Sequence, residues 1–186
     1  MAQTTSDATE PARNALDALH SRDAWSPGSM LRVMSRVSGG VRSITTSIPE
    51  LEDRWHRLAV DTLGGHPPVW VVLGDSTAQG VGASSIEHTW VARLHAALGR
   101  AGRPHGIVNL ARSGAGTNDV VTEQLPILDL LPAPPALVSC AVGINDLMRN
   151  PAPPVVAGRL RRLVEQLPAG STMATLPSGS SPSVRW

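Results

Sequence analysis

Short apolar runs and longer stretches of helical period alternate through the last two-thirds of the chain. The runs are 69–73 (VWVVL), 107–110 (IVNL), 136–142 (ALVSCAV) and 171–176. They are rich in β-branched residues and bounded by Gly and Pro, which reads as buried strands of a parallel sheet. Between them the period is helical. Residues 88–98 place Trp90, Val91, Leu94 and Leu98 inward, and Gly99 and Gly102 close that helix. Thr117 opens a helix toward residue 125. Pro153 and Pro154 open another, with Val156, Leu160, Leu163 and Leu167 on one face and the Arg159 and Arg162 side as a solvated face. The order β-α-β-α-β-α-β predicts a parallel sheet with crossover helices and strand 69–73 in its centre.

Upstream of residue 69 the pattern weakens. Residues 1–25 are polar and read as a mobile arm, with a weak helix at 12–20. Ser26-Pro27 opens a basic helix that Gly39 and Gly40 stop. Ser47-Ile48-Pro49-Glu50 starts a helix with Leu51, Trp55, Leu58, Ala59 and Thr62 in one stripe. These patterns divide the chain into an N-terminal extension (1–46), an α/β domain (47–176) and a low-complexity tail (177–186).

Composition narrows the function classes. The 186 residues are 41% hydrophobic and 17% charged with a net charge of +1, which suits a globular domain and gives no reason to expect nucleic acid as a partner. Every basic residue apart from histidine is Arg, and Phe and Tyr are absent, a bias typical of GC-rich coding. The lone Cys140 lies in an apolar run and reads as a core residue. No stretch is apolar enough for a membrane span, although 28–42 is basic enough to touch a membrane surface. The start, MAQTTSDATEPAR, has acidic residues and no apolar segment, so it does not read as a secretory signal, and the expected location is cytoplasmic.

The chemistry collects at the strand ends. Loops after successive parallel strands meet at one sheet edge. Gly74-Asp75-Ser76 follows the first strand, Arg112-Ser113-Gly114 the second, and Gly143-Ile144-Asn145-Asp146 the third. That edge would hold a hydroxyl at a strand-to-helix turn, a glycine backbone open to close approach, and a side-chain amide, an inventory from which an oxyanion hole can be built. Taken alone, each also reads as an ordinary turn or capping residue.

With GDSTAQG at 74–80, Ser-Gly at 113–114 after NLAR, and GIND at 143–146, the chain resembles the SGNH (GDSL-type) hydrolase family over about residues 68–176. The resemblance implies a flavodoxin-like three-layer α/β/α sandwich with a parallel sheet. It implies hydrolysis of an ester, acetyl ester or thioester in a small-molecule substrate, without metal or organic cofactor. Ser76 would be the nucleophile, and the backbone N–H groups of Ser76 and Gly114 with the Asn145 amide would form the oxyanion hole. Asp75 and Asp146 read as structural or capping residues.

The chain departs from the family at its last motif. An Asp-x-x-His block is expected after a fifth strand, yet His20, His56, His66, His88, His95 and His105 all precede Asn145. Asp17/His20 and Asp53/His56 have the right spacing in the wrong order, and the second reads as an exposed pair within one helix. The expectation is a domain without its last strand and helix, through truncation or frameshift, and with impaired turnover. The alternative is a non-catalytic module that binds an acyl group or carboxylate. A nucleotide-binding domain ranks last, because no phosphate-binding Gly-rich motif is present.

Overall fold

The VWVVL run is apolar throughout because both faces of its strand are covered. The computed structural model describes residues 4–21, 39–65, 67–149 and 152–174. In it, β1 (Val69–Gly74), β2 (Gly106–Asn109), β3 (Leu137–Ala141) and β4 (Thr172–Met173) form one parallel sheet in the order β2-β1-β3-β4. The alternation of β-strand side chains sorts the core into two layers. Val71, Leu73, Val108, Leu110, Val138 and Cys140 face one way, Trp70, Val72, Ile107 and Ala141 the other. Burial pushes the Cys140 thiol up to about 12, with the Asp75 charge adding to the effect. The result is an α/β sandwich.

Helix α1 (Thr4–Ser21) and helix α2 (Gly39–Gly65) precede the sheet. Where sequence suggested a mobile arm, α1 is a packed helix, with Ala12, Leu16 and Leu19 buried in the first layer. Three apolar residues on one face sufficed to dock it against α2. Helix α2 starts well before residue 47 and carries Pro49 inside it, so the Pro that reads as a helix start in the sequence is an interior residue. Its stripe holds for Leu51, Trp55, Ala59 and Thr62, but Leu58 is 43% exposed. The second candidate helix (26–39), nearly all of the 28–42 surface and the 177–186 tail lie outside the described residues.

Helix α2 lies along the free edge of β2 and contributes to both layers, Leu51 and Trp55 to one and Ala59 and Leu63 to the other. The outward carbonyl of Ile107 accepts a hydrogen bond from Thr62 Oγ1 (3.1 Å). A covered edge does not pair with foreign strands. This approach requires Gly106, since a Cβ there would stand 2.3 Å from Thr62 Cγ2 and 2.7 Å from Pro67 Cγ.

The remaining helices are short: α3 (Ser76–Gln79), α4 (Trp90–Arg100), α5 (Thr117–Asp119), α6 (Leu125–Leu128), α7 (Ile144–Met148) and α8 (Pro153–Gln166). One 3-10 turn (Ile86–His88) precedes α4, and a π turn (Val120–Gln124) joins α5 to α6. On α4 only Val91 is fully buried. Trp90 and Leu94 are exposed, as is Leu137 of β3. Among the described residues no helix is long and apolar enough to cross a membrane.

The two upstream Asp-x-x-His segments do not pair within their own helices. They face each other across α1 and α2, which run antiparallel there. His20 Nε2 meets Asp53 Oδ1 and His56 Nε2 meets Asp17 Oδ1, both at 3.1 Å, and the imidazoles stack at 4.5 Å. Glu52 and Arg112 line the same cavity. Burial, and then His20, lower the His56 pKa, while Asp17 and Asp53 oppose the shift. A histidine with a lowered folded pKa stabilises the fold above its unfolded value, 6.5, and loses that contribution as pH falls through the folded value.

Two outcomes follow from this packing. Gly106→Ala is expected to destabilise the chain by about 1–3 kcal/mol through overpacking, read as a lower midpoint in urea; an unchanged midpoint would mean that α2 does not press on β2. Thermal stability is expected to drop between about pH 7 and about pH 5, and His56→Gln to flatten that dependence. Equal pH sensitivity in parent and variant would remove the stacked pair as its source.

Candidate active site

Gly74 ends β1 under two constraints. Its φ is +142°, and a Cβ would fall 2.1 Å from the Ala141 carbonyl oxygen and 2.9 Å from Ala78 Cβ. Only glycine fits, and the chain leaves the sheet there. The Asp75 N–H donates to the Ala141 carbonyl (3.1 Å), and the Asp75 carboxylate caps α3 by accepting from the Thr77 N–H (2.8 Å). Asp75 is buried, which raises its carboxyl pKa; the Thr77 bond and the N–H of Gly143 oppose that shift. Its Oδ2 is buried without a hydrogen-bond partner. Ser76 therefore opens α3 at the carboxyl end of an interior strand, half-buried.

The next two loops stand beside it. After β2, the Ala115 N–H donates to the Arg112 carbonyl (3.1 Å), closing a turn with Gly114 at φ +83°. After β3, Gly143 leads into α7, which carries Asn145. Asn145 Nδ2 donates to the Ala115 carbonyl (2.9 Å), and Arg149 Nη2 donates to the Gly114 carbonyl (2.9 Å). The Gly114 and Asn145 loops are thus bonded together, and the Ser76 turn is tied to both through Ala141, Gly143 and Arg112, whose N–H donates to the Gly74 carbonyl (3.1 Å). Asp146, 1% exposed, accepts from the Thr117 N–H (2.7 Å), the Thr117 hydroxyl (3.1 Å) and Arg159 Nη1 (3.0 Å).

Sequence reasoning assigned Arg159 to a solvated face, but its guanidinium reaches back to the buried Asp146. It also passed over two buried glutamines. Gln79 accepts a short bond from the Ser113 hydroxyl (2.5 Å), donates to Glu52 (3.1 Å), and gives its backbone carbonyl to Trp55 Nε1 (2.8 Å). Gln124 bonds both backbone groups of Gly74. A buried glutamine is rare unless it is paired, but Gln79 ends a four-residue helix and Gln124 a five-residue π turn, segments too short to show an inward face in the sequence.

The described histidines are engaged elsewhere. His20 and His56 hold Asp53 and Asp17, His88 Nδ1 meets Ser84 Oγ (2.7 Å), His95 Nε2 meets the His105 carbonyl (2.6 Å), and His105 Nδ1 meets the Arg103 carbonyl (2.8 Å). His66 lies outside the described residues. Among the described residues no group of three or more His, Cys, Asp or Glu is arranged to hold a metal ion.

Several proteins of known structure are similar to this chain. A variant of the esterase AlinE4 is 25% identical, with a TM-score of 0.54 over 64% of this chain and 64% of its own. AlinE4 itself, described as an SGNH-hydrolase family esterase, is 30% identical over 54% of this chain and 53% of its own, with a TM-score of 0.49. An extracellular lipase from Streptomyces rimosus is 24% identical over 52% of this chain and 46% of its own, with a TM-score of 0.33. The chain thus spans about half to two-thirds of the length of the AlinE4 structures. No curated protein matches it in sequence. The sequence profile of the GDSL-like lipase/acylhydrolase family matches residues 72–184, the segment that carries all three strand-end loops, and the chain belongs to that family.

Proposed function

We propose that this hydrolase acts on small-molecule esters through Ser76, with the N–H groups of Ser76 and Gly114 and the Asn145 amide receiving the oxyanion. The observation that carries the reading is the Asn145 carboxamide. Its nitrogen has two protons. The Ala115 carbonyl takes one, which fixes the amide plane beside Gly114 and leaves the other for a substrate oxygen. Donors fixed in advance stabilise developing charge without reorganising during the reaction.

The step is acyl transfer. Ser76 Oγ bonds to the ester carbon, its proton passes to a base, and the alcohol leaves with a proton; water then repeats the sequence on the acyl-serine. No Asp-x-x-His follows Asn145 within residues 1–186, and the described histidines are committed to other partners. That commitment favours the second reading, a domain that binds an acyl or carboxylate group with little turnover. Loss of a triad base costs on the order of a millionfold in kcat.

These 186 residues are therefore expected to hydrolyse p-nitrophenyl acetate only slowly. Brisk hydrolysis abolished by Ser76→Ala and by His56→Ala or His20→Ala would instead make an upstream histidine the base. An alkyl fluorophosphonate is expected to label the chain at Ser76 only slowly, over a long incubation at high reagent concentration, because among the described residues the serine has no activating base, and to leave Ser76→Ala unlabelled, as read by intact mass; a parent still unlabelled under those conditions favours the binding module. In a relative with full activity, the change equivalent to Asn145→Ala should lower kcat by roughly a hundredfold to a thousandfold with little change in KM. An unchanged kcat would leave Asn145 as a turn residue.

A further inference from the structure

We propose that Gln124 is a positioning residue for the nucleophile turn, its carboxamide continuing the β2 side of the sheet at Gly74, where the register of β2 has ended. The inference rests on the reading of Ser76 as nucleophile. β2 ends at Asn109, and the chain then turns away through Arg112 to Ala115. Gly74, at the far end of β1, has no paired β2 residue: the Arg112 N–H still reaches its carbonyl (3.1 Å), but the place beside its N–H is open to a side chain. The Gln124 carboxamide fills that place. Gly74 N–H donates to Gln124 Oε1 (2.8 Å), and Gln124 Nε2 donates to the Gly74 carbonyl (2.9 Å). Asn and Gln side chains present a donor and an acceptor in one plane, as a neighbouring peptide does.

The position of Gln124 depends on an irregular backbone. It is the last residue of the π turn Val120–Gln124 and is 1% exposed. A π turn inserts a residue into the helical count, which changes the side chain presented to the core, and such turns gather at functional sites. Here the local irregularity and the buried carboxamide converge on the peptide that leads into Asp75 and Ser76. If Gly74 tilts, the Ser76 N–H and hydroxyl move with it, and a misplacement of about 1 Å can cost a hundredfold in rate.

The test separates positioning from mere support of the fold. In Gln124→Glu, a protonated carboxyl reproduces both bonds: its carbonyl accepts from Gly74 N–H and its hydroxyl donates to the Gly74 carbonyl. Once ionised, it loses the donor and repels that carbonyl. Burial raises the pKa of such a group and brings this change into an accessible pH range. The rate of Ser76 phosphonylation by an alkyl fluorophosphonate is measured by intact mass for the parent, Gln124→Glu and Gln124→Met from about pH 5 to about pH 8.5, corrected for the folded fraction from circular dichroism. The Gln124→Glu rate relative to parent is expected to lie near one at acid pH and to fall about tenfold or more as pH rises, with Gln124→Met low throughout. A flat Gln124→Glu ratio, or one that follows only the folded fraction, overturns the inference. Because no base among the described residues activates Ser76, the reaction is followed over a long incubation at high reagent concentration; a parent that still forms no Ser76 adduct overturns the nucleophile reading and this inference with it, so the two failures are distinguishable.

Discussion

One peptide group, that of Gly74, decides how the carboxyl edge of this sheet is built. It lies so close to Ala141 that no side chain fits, and its φ excludes almost every other residue. From that point the chain must leave the sheet, and each neighbouring segment meets it. β3 supplies the Ala141 carbonyl for Asp75, the loop after β2 supplies the Arg112 N–H, and the π turn supplies Gln124. The half-buried Ser76 hydroxyl follows from these bonds, since a residue two positions beyond a pinned glycine, with the intervening Asp75 also bonded, has little freedom left.

A second frame surrounds the first and comes from outside the family-matched segment. Helix α2 ends before residue 72, where that segment begins, yet Trp55 and Glu52 grip the α3 turn through Gln79, and Thr62 closes the free edge of β2. Helix α1 packs onto α2 through Ala12, Leu16 and Leu19 and through the crossed histidine–carboxylate pairs. The N-terminal helices therefore share the core of the sheet. The boundary read from sequence at residue 46 falls inside α2, because composition registers a change in polarity and does not register which apolar face is covered.

What sequence revealed were the features with a local cause. The strands at 69–73, 107–110 and 136–142 stood out because burial on both faces demands unbroken apolar runs. Gly74, Ser76, Gly114 and Asn145 stood out because strand ends gather at one edge. The missed features depend on partners distant in sequence. Asp53 was read with His56, three residues on, while its actual partner, His20, lies on another helix. Arg159 looked solvated because Asp146 lies thirteen residues earlier across a turn. Gln124 looked like one polar residue among several, because the backbone it completes is 50 positions upstream. Leu94 and Trp90 had helical spacing for burial, but spacing does not specify how much of the sheet a helix reaches.

The electrostatics of this edge bear on the chemistry proposed for it. Two buried carboxyls flank the candidate oxyanion donors, Asp75 beside Ser76 and Asp146 beside Asn145, and uncompensated negative charge there would oppose a developing oxyanion. Each is offset in a different way. Asp146 meets a guanidinium and two donors from Thr117, so its charge is balanced within the loop junction. Among the described residues Asp75 meets N–H groups and no cation, and burial raises its pKa, which weakens the preference for the charged form. The same carboxylate caps α3, so the device that fixes the Ser76 turn also adds negative character next to it. The Gly143 N–H, at the start of the loop that carries Asn145, draws on that character. Holding the Ser76 turn and limiting the field around it are therefore one structural problem, and the Gly143–Asp146 loop serves both parts of it.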